Sequence, residues 1–362
     1  MIIEANNLSR QFDLYKEEYE QAALRVLRSG WYVLGKEVSS FEQEFASYLG
    51  VKHCIGLASG LDALILGFRL LGIGKGDEVI VASNAYIACM MGITINGASP
   101  IFVEPDENFN IYPGSIERAI SPKTKAILAL HLYGNACKMH EIMDIADKHG
   151  LLVVEDCAQA HGTESGGKKV GAFGAIGCFS FYPTKNLGGF GDSGAIVTDD
   201  AGIATRAMQL RNYGSAKKYI FEEVGVNSRL DELQAALLRV KLSHLDQLNQ
   251  ERQALAVRYI EGIRNERIQL PASIQGNTWH QFVVRAEERD NLKEHLKQKG
   301  IGSDIHYPIP PHLSKPYEYL GFKKGAFPIC EKLSNEILSL PIYNGLSGTE
   351  QQYIIDTIND WR

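Results

Sequence analysis

Short apolar runs alternate with amphipathic stretches over the first part of the chain. The runs rich in β-forming residues read HCIGL, DEVIVAS, SPIFVEP, TKAILALHL, LLVVED, IGCFSF and GAIVT. Between them, helical patterns occur in DALILGFRLL, YIACMMGITIN, PGSIERAI and KMHEIMDIADKHG. Strands that alternate with helices are typical of βαβ units, so the pattern predicts an α/β fold with a mainly parallel sheet.

The pattern changes after Leu230, where apolar positions recur on one face of a helix at Leu233, Leu237, Val240 and His244. We expect one long helix that reaches towards residue 262 and links two domains. From NTWHQFVVR to the C-terminus, strand-like and helix-like runs predict a smaller α+β domain. We place the large domain at residues 1–245 and the small C-terminal domain at residues 246–362.

Composition narrows the class of protein. With 45% hydrophobic and 22% charged residues, the chain has the composition of a soluble globular enzyme. A net charge of −6 and a pI near 6.0 argue against a protein that binds nucleic acid or an anionic membrane through its overall field. The chain shows no secretory signal and no apolar stretch long enough to span a bilayer, so we expect a cytoplasmic location.

The cysteines are scattered through apolar, strand-like contexts. They form no CxxC pair and no metal-ligand spacing, so the sequence predicts no bound metal. We expect reduced core residues at Cys54, Cys89, Cys137, Cys157, Cys178 and Cys330.

The segment CFSFYPTKNLGGFGDSGAIVT contains the strongest candidate for chemistry. Its Lys185 follows a predicted strand and precedes a glycine-rich turn, where a side chain can project towards a ligand. A lone loop lysine is usually only a hydrated surface charge. Here Ser180 and Tyr182 precede it, and Asp156 and Gln159 lie at the end of the strand LLVVED. Because ligands of open α/β sheets lie beyond the carboxyl ends of strands, Asp156 should face a site.

Three glycines of the same segment match the dinucleotide-binding motif G-x-G-x-x-G: Gly189, Gly191 and Gly194. That motif needs a helix directly after it, whereas GAIVTDD predicts a strand. We therefore interpret these glycines as a tight turn and reject a dinucleotide site.

The helix predicted in ASGLDALILGF offers a second place for a ligand. Ser59 and Gly60 precede its first turn, where free N–H groups and the helix dipole attract phosphate. The alternative is that Ser59 merely caps the helix by accepting one of its own N–H groups.

Several segments, taken in order, resemble the DegT-type nucleotide-sugar aminotransferases. They span essentially the whole chain and read GKEVSSFEQEFASYLG, SGLDAL, GDEVIVASNAYIA, VVEDCAQAHG, SFYPTKNLG, GDSGA and NSRLDELQAA. The family has the aspartate aminotransferase fold, fold type I, in which a large α/β domain carries a smaller C-terminal α+β domain. The resemblance therefore implies an enzyme that transfers an amino group with pyridoxal 5′-phosphate (PLP) as cofactor.

The resemblance also assigns roles to single residues. It places the lysine that carries PLP at Lys185, the carboxylate that faces the pyridine nitrogen at Asp156, and a side chain near the phenolic oxygen at Gln159. An ionised Asp156 would keep the ring nitrogen protonated, so that the ring can accept electrons. A freed Lys185 would act as the base.

Further cofactor contacts follow from the resemblance, position by position. The backbone N–H groups of Gly60 and Leu61 and the Ser180 hydroxyl are expected at the phosphate, with Tyr86 stacked on the ring. Asn227 matches a position that reaches the phosphate in the neighbouring subunit, which implies a homodimer with shared active sites. Without the resemblance, Tyr86 could be ordinary core and Asn227 a cap of the following helix.

The loop DIHYPIPPHLSKPY supplies candidates for binding the sugar nucleotide. Its His306 and Tyr307 can donate hydrogen bonds to sugar hydroxyls and a diphosphate, and Tyr182 is a further candidate. Lys217, in the polar loop after RNYGSA, could supply the positive charge that a diphosphate needs, or could be a solvated surface residue.

Details of the motifs narrow the resemblance to a subgroup. SGLDAL, SNAYIA, HLYGN, AQAHG and HYPIPPHL resemble the 3-aminotransferases. This implies conversion of a dTDP-linked 3-keto-6-deoxyhexose to the 3-amino-3,6-dideoxyhexose, with L-glutamate as the amino donor. The partners would then be small molecules, without nucleic acid or membrane.

Other functions stay open at this point. A 4-keto aminotransferase of the same family differs in the carbon that is aminated. A sugar dehydratase of the same fold has histidine where this chain has Lys185, so the lysine argues against a dehydratase. A regulatory protein that binds PLP without turnover, and a PLP enzyme that acts on amino acids, share the fold.

Overall fold

The computed structural model describes residues 1–272 and 275–362 and contains one large sheet. The strands of that sheet are β1 His53–Leu57, β2 Glu78–Ala82, β3 Ser99–Val103, β4 Thr124–Leu130, β5 Leu152–Asp156, β8 Ile176–Ser180 and β9 Gly194–Thr198. Short two-stranded pairs are β6 Glu164–Ser165 with β7 Lys168–Lys169, β10 Ser215–Lys217 with β11 Ile220–Phe221, and β12 Phe282–Arg285 with β13 Ile337–Leu340. The large sheet has the order β1-β9-β8-β5-β4-β2-β3.

Five of these strands are parallel, from β3 through β2, β4 and β5 to β8. Strands β9 and β1 complete the sheet by antiparallel pairing. The predicted α/β architecture with a mainly parallel sheet is therefore confirmed. Each strand of this sheet lies in an apolar run that the sequence pattern marks as a strand.

The helices surround the sheet and continue towards the C-terminus. They are α1 Leu8–Asp13, α2 Lys16–Ser29, α3 Lys36–Leu49, α4 Gly60–Leu70, α5 Ile87–Thr94, α6 Pro113–Ala119, α7 Met139–His149, α8 Ala201–Leu210, α9 Glu232–Ser243, α10 Leu245–Gly262, α11 Arg289–Gln298, α12 Pro328–Glu336 and α13 Gly348–Asn359. None of the helices in the described ranges is both long and apolar enough to cross a membrane.

Both faces of the sheet are buried, because side chains of each strand alternate between two cores. On β2, Val79 and Val81 pack in one core with residues of α4 and α5. Ile80 and Ala82 point to the opposite core, which contains residues of α6 and α7. This burial explains why the strands read as continuous apolar runs in the sequence.

The long helix expected from Leu230 is instead two helices, α9 and α10, which break at His244. His244 has φ −109° and ψ 1°, outside the helical region. Its ring stacks on Tyr15 at 3.8 Å with an interplanar angle of 7°, and its Nε2 lies 3.2 Å from the Glu18 carboxylate. The spacing of apolar residues continues across the break, so the sequence pattern does not show that the helix ends at His244. The contacts of His244 with Tyr15 and Glu18 come from a distant part of the chain, which the spacing does not report.

The C-terminal elements build a core of their own. Residues of α10, α11, α13, β12 and β13 form this core, with Tyr259, Phe282 and Leu338 fully buried. Ile3 joins it from the N-terminus and pairs with Ile301. A boundary between two domains at 245/246 stays a prediction.

Candidate active site

The carboxyl ends of β4, β5 and β8 meet at one edge of the sheet. Leu130 of β4 lies beside Asp156 of β5, which lies beside Cys178 of β8. Asp156 ends its strand and is buried. Its Oδ1 accepts the backbone N–H of Ala158 at 3.0 Å, and its Oδ2 accepts the thiol of Cys89 at 3.1 Å. The predicted carboxylate therefore lies at the edge where ligands of α/β sheets bind.

Lys185 lies in the turn after β8 and is half-buried. Its backbone N–H donates to the carbonyl of Tyr182 at 2.9 Å, which fixes the turn. Burial lowers the pKa of the Lys185 amine from 10.5 to about 8, although Asp156 and Cys89 act in the opposite direction. An amine with such a pKa is partly neutral near physiological pH and can therefore act as a nucleophile or a base.

The start of α4 lies against the end of β8. A Cβ on Gly60 would be only 2.5 Å from the Cβ of Ser180, so this close approach requires glycine. Ser59 caps the helix by accepting the N–H of Asp62 at 3.1 Å, as the alternative reading of this motif expects. In the described part of the chain, no group accepts the N–H of Gly60 or of Leu61. Two helix amides and a serine hydroxyl are thus available to a phosphate.

Gln159 and Tyr307 meet beyond the end of β5. The Gln159 amide donates to the Tyr307 hydroxyl at 3.1 Å, and its carbonyl accepts the N–H of Tyr133 at 2.8 Å. The ring of Tyr307 lies 4.7 Å from that of Tyr86, centroid to centroid, at an interplanar angle of 30°. Tyr86 is 43% exposed and directly precedes α5, so it is not an ordinary core residue.

His306 is held next to Tyr307 by contacts with Ser339 and Tyr133. Its Nδ1 lies 2.8 Å from the Ser339 hydroxyl, and its carbonyl accepts the Tyr133 hydroxyl. Burial lowers the pKa of the His306 imidazole below its ordinary value, so the ring is neutral at physiological pH. Tyr133 thereby connects Gln159 in the large sheet region with the loop that carries His306 and Tyr307.

Two predicted residues, Asn227 and Lys217, form no hydrogen bond with this group within the described residues, and a third, Tyr182, forms hydrogen bonds to it only through its backbone. Asn227 is exposed and pairs through its backbone with Asn212, while α9 begins after Asp231, so Asn227 is not the helix cap. Lys217 is exposed on the hairpin of β10 and β11. Tyr182 is 51% exposed next to Lys185.

Sequence reasoning missed two residues that contact the site. Cys89 was expected only as a reduced core residue, although it donates to Asp156, and Tyr133 was not singled out, although it binds both Gln159 and His306. Neither role has a local signal, since one is a thiol in an apolar helix and the other an aromatic residue after a strand.

A buried hydrogen bond between His131 and Glu155 supports the strand that ends in Asp156. The Nε2 of His131 lies 3.1 Å from the Glu155 carboxylate, which also accepts the N–H groups of Gly171, Phe173 and Gly174, each at 2.8 Å. The Nδ1 of His131 accepts the N–H of Cys137 at 3.0 Å. His131, Glu155 and Cys157 offer ligand atoms within 4.8 Å of one another, but the imidazole and the carboxylate already have hydrogen-bond partners. This cluster is therefore structural.

The geometry fits a PLP enzyme of fold type I. A half-buried amine with a lowered pKa lies near a buried carboxylate, and free helix amides face a hydroxyl where a phosphate could bind. Residues 13–359 match the model of the DegT/DnrJ/EryC1/StrS aminotransferase family. The chain belongs to this family.

Named relatives agree with this class. The chain is 52% identical to the dTDP-3-amino-3,6-dideoxy-alpha-D-galactopyranose transaminase of Aneurinibacillus thermoaerophilus, with 97% of each chain covered. It is 46% identical to the dTDP-3-amino-3,4,6-trideoxy-alpha-D-glucose transaminase of Streptomyces venezuelae, with 98% of this chain and 95% of the relative covered.

Solved structures share the fold over the same length. The crystal structure of S. venezuelae DesV in complex with a ketimine intermediate has a TM-score of 0.97 and 45% identity, and the match covers 99% of this chain and 98% of that one. Similar structures also include forms that hold PLP or its aminated form, pyridoxamine phosphate (PMP). The protein is therefore a PLP-dependent aminotransferase.

Proposed function

We propose that this enzyme transfers an amino group from L-glutamate to C3 of a dTDP-linked 3-keto-6-deoxyhexose. The observation that carries the aminotransferase chemistry is the Lys185 amine, whose pKa burial lowers to about 8, beside the buried Asp156 carboxylate. The sugar class and the carbon are supported by the two dTDP-3-amino sugar transaminases with 46–52% identity. Glutamate as the donor rests on the family resemblance.

The cofactor would be held at both of its ends by groups at the sheet edge. The amides of Gly60 and Leu61 and the Ser180 hydroxyl would bind its phosphate, and Tyr86 would cover one face of its ring. When bound, PLP supplies an electron sink and carries the amino group between the two substrates.

The proton transfers fall to Lys185 and Asp156. The Nζ of Lys185 would anchor the cofactor and, once free, take up and return the proton at the reacting carbon, because its lowered pKa leaves a usable fraction of neutral amine. Asp156, held by two donors, would keep a proton on the facing ring nitrogen. Gln159 would donate to the phenolic oxygen from the position where it now contacts Tyr307.

The sugar nucleotide would be oriented by groups around the opening of the site. Tyr307 and His306 are fixed by Gln159, Ser339 and Tyr133, so their positions are set before substrate arrives. Tyr182 and Lys217 are exposed and could reach the sugar and the diphosphate. These four contacts are proposals.

We expect amination at C3 rather than at C4. Holding the nucleotide and diphosphate leaves the hexose free to pivot, and a misplacement of about 1 Å can cost roughly a hundredfold in rate, so a few contacts can select the carbon. The test is competition between 3-keto and 4-keto dTDP-6-deoxyhexoses with glutamate as donor, with the new amine located by NMR.

The same assay separates the remaining alternatives. Preferential amination at C4 would contradict the choice of carbon while leaving the aminotransferase class intact. Loss of a sugar hydroxyl without glutamate consumption would indicate a dehydratase, and the absence of any turnover would favour a regulatory protein. Turnover with amino acids alone would indicate a PLP enzyme of another substrate class.

We further propose a homodimer in which Asn227 completes the active site of the partner subunit. Asn227 is exposed and has no side-chain hydrogen bond to another described residue. Near it in sequence, Tyr219, Phe221 and Val224 are exposed apolar side chains, with Tyr219 and Val224 80% exposed each. Exposed apolar groups of this size are typical of an interface.

Mixing two defective variants tests the shared site. Asn227→Ala alone and Lys185→Ala alone should both be impaired, but a mixed dimer would hold one site with both residues intact. If the subunits mix at random, about half of the dimers are mixed, and activity should recover to about a quarter of the wild type. Differently tagged subunits allow the mixed dimers to be purified and assayed.

One result would exclude Asn227 from acting across the interface. This is a purified mixed dimer whose activity does not exceed the mean of its two parents. A chain that elutes as an active monomer would contradict the dimer as well.

A cytoplasmic location also belongs to this proposal. All six cysteines are free and buried, which is typical of proteins from a reducing compartment.

A further inference from the structure

Helix α5 brings two different side chains to the site. Tyr86 precedes its first residue, and Cys89 follows within the first turn, with its N–H donating to the carbonyl of Tyr86 at 2.9 Å. Tyr86 is exposed, and its ring contacts that of Tyr307. Cys89 is fully buried, and its thiol donates to Asp156. The beginning of α5 therefore supplies both the side chain proposed to stack on the cofactor ring, Tyr86, and a donor to the Asp156 carboxylate, Cys89.

The carboxylate of Asp156 holds one protein donor on each oxygen. The backbone N–H of Ala158 occupies Oδ1 at 3.0 Å, and the thiol of Cys89 occupies Oδ2 at 3.1 Å. The first donor is fixed by the main chain, but the second depends on the side chain at position 89. Each carboxylate oxygen has two lone pairs, so Oδ2 can keep the thiol and accept a further donor.

The thiol remains a donor under all physiological conditions. Burial first, and then the charge of Asp156, raise the pKa of Cys89 well above its ordinary value. A thiolate, which could only repel the carboxylate, does not form near neutral pH. Other titratable groups that act electrostatically on or with Asp156 are Lys185, Tyr307, Cys157 and Cys178.

We infer that Cys89 is a positioning residue, whose thiol holds the Asp156 carboxylate in place and draws off part of its negative charge. The inference rests on the proposed function, in which Asp156 faces the ring nitrogen of PLP. A hydrogen bond to a charged acceptor is stronger than one between neutral groups, but a thiol is a weak donor. Cys89 therefore adjusts the strength of Asp156 without neutralising it.

The charge on Asp156 has a measurable consequence for the bound cofactor. A nearby negative charge favours the protonated form of a titrating group. Removing the thiol concentrates charge on Asp156 and should raise the midpoint of the pH titration of the cofactor's absorbance. Replacing it by a stronger donor, a hydroxyl, should lower that midpoint.

The experiment compares Cys89→Ala and Cys89→Ser with the wild-type holoenzyme. We expect the midpoint to rise by about half a pH unit in Cys89→Ala and to fall or stay below the wild type in Cys89→Ser. The dissociation constant of PLP from each apoenzyme is measured in parallel and should change by less than about tenfold, because Lys185 and the phosphate contacts remain.

Cys137→Ala is a matched control. Cys137 is also a buried thiol that donates at 3.1 Å, but its acceptor is the backbone carbonyl of Leu130. This variant loses a comparable volume and a comparable hydrogen bond from the core, and its midpoint should equal that of the wild type.

Opposite shifts in Cys89→Ala and Cys89→Ser support the inference. Cys89 would contribute only to core packing if both Cys89 variants had the midpoint of the wild type, or if both shifted it in the same direction. The same conclusion would follow if Cys137→Ala shifted the midpoint as Cys89→Ala does. If Cys89→Ala does not fold, the sign of the shift in Cys89→Ser decides. A wild-type protein that titrates but aminates no keto sugar would instead overturn the proposed function, so the two failures are distinguishable.

Discussion

Lys185→Ala is expected to abolish transamination while the protein stays folded. The change removes both the amine that anchors PLP and the base that moves the proton, and positioned bases alone contribute about 10²–10⁴-fold to a rate. We therefore expect the glutamate half-reaction to slow by at least about 10³-fold. The alanine fits without strain, since the side chain is only half-buried and the backbone N–H still bonds to Tyr182.

Two measurements check this expectation directly. Borohydride should fix the cofactor to the wild-type chain but not to Lys185→Ala, as mass spectrometry of the intact protein would show. Stopped-flow absorbance gives the rate of the glutamate half-reaction. The exposed Lys123→Ala serves as a control for the loss of a lysine, and it should match the wild type in both assays.

A normal half-reaction in Lys185→Ala would remove this residue from the mechanism. Lys185→Arg adds a second comparison, because it keeps a positive charge but cannot supply a neutral amine. If the charge alone mattered, the arginine variant would retain activity. We expect it to be as inactive as the alanine variant.

Local sequence patterns predict the sheet well because its parallel strands are short and buried on both faces. The run LLVVED ends with the last residue of β5, Asp156, and the run IGCFSF begins with the first residue of β8 and ends one residue beyond its last. Parallel strands place their carboxyl ends at one edge, so a mainly parallel sheet puts the ends of both runs, Asp156 and Ser180, at the same edge. The fold, together with the expectation that Asp156 lies at this edge, is thus within reach of the sequence.

Contacts between side chains that are far apart in the sequence cannot be predicted from local sequence patterns. Cys89 and Asp156 are separated by 67 positions, and Gln159 and Tyr307 by 148. The break at His244 is of the same kind, because it accompanies a stacking contact with Tyr15 that helical spacing does not report. A periodic pattern records which face of an element is buried, but it does not record which side chain lies opposite.

The function of Asn227 and Lys217 is also beyond a local pattern. Both are exposed, and each lies in a polar segment that suits a surface loop as well as a binding site. Only the resemblance to a family favours a binding site over a surface loop at these positions. The mixed-dimer experiment tests whether Asn227 belongs to a binding site.

Asp156→Asn is expected to reduce turnover by roughly 10²–10³-fold, the usual loss when one preorganised electrostatic partner of a reaction is removed. The buried carboxylate has one oxygen on the N–H of Ala158, and an asparagine would keep its carbonyl there. Its amide nitrogen would then replace Oδ2 and present a donor where the ring nitrogen also carries a hydrogen. The ring nitrogen would lose its proton, and with it the ability to accept electrons.

Cofactor binding separates this effect from unfolding. PLP should remain bound to Asp156→Asn, because Lys185 and the phosphate contacts are unchanged, while the half-reactions with glutamate and with the keto sugar both slow. Asp147→Asn removes an exposed carboxylate from α7, which directly precedes β5, and should leave both rates unchanged. Asp156→Asn with wild-type rates in both half-reactions would show that this carboxylate does not face the cofactor, and the role assigned to Cys89 would be lost with it.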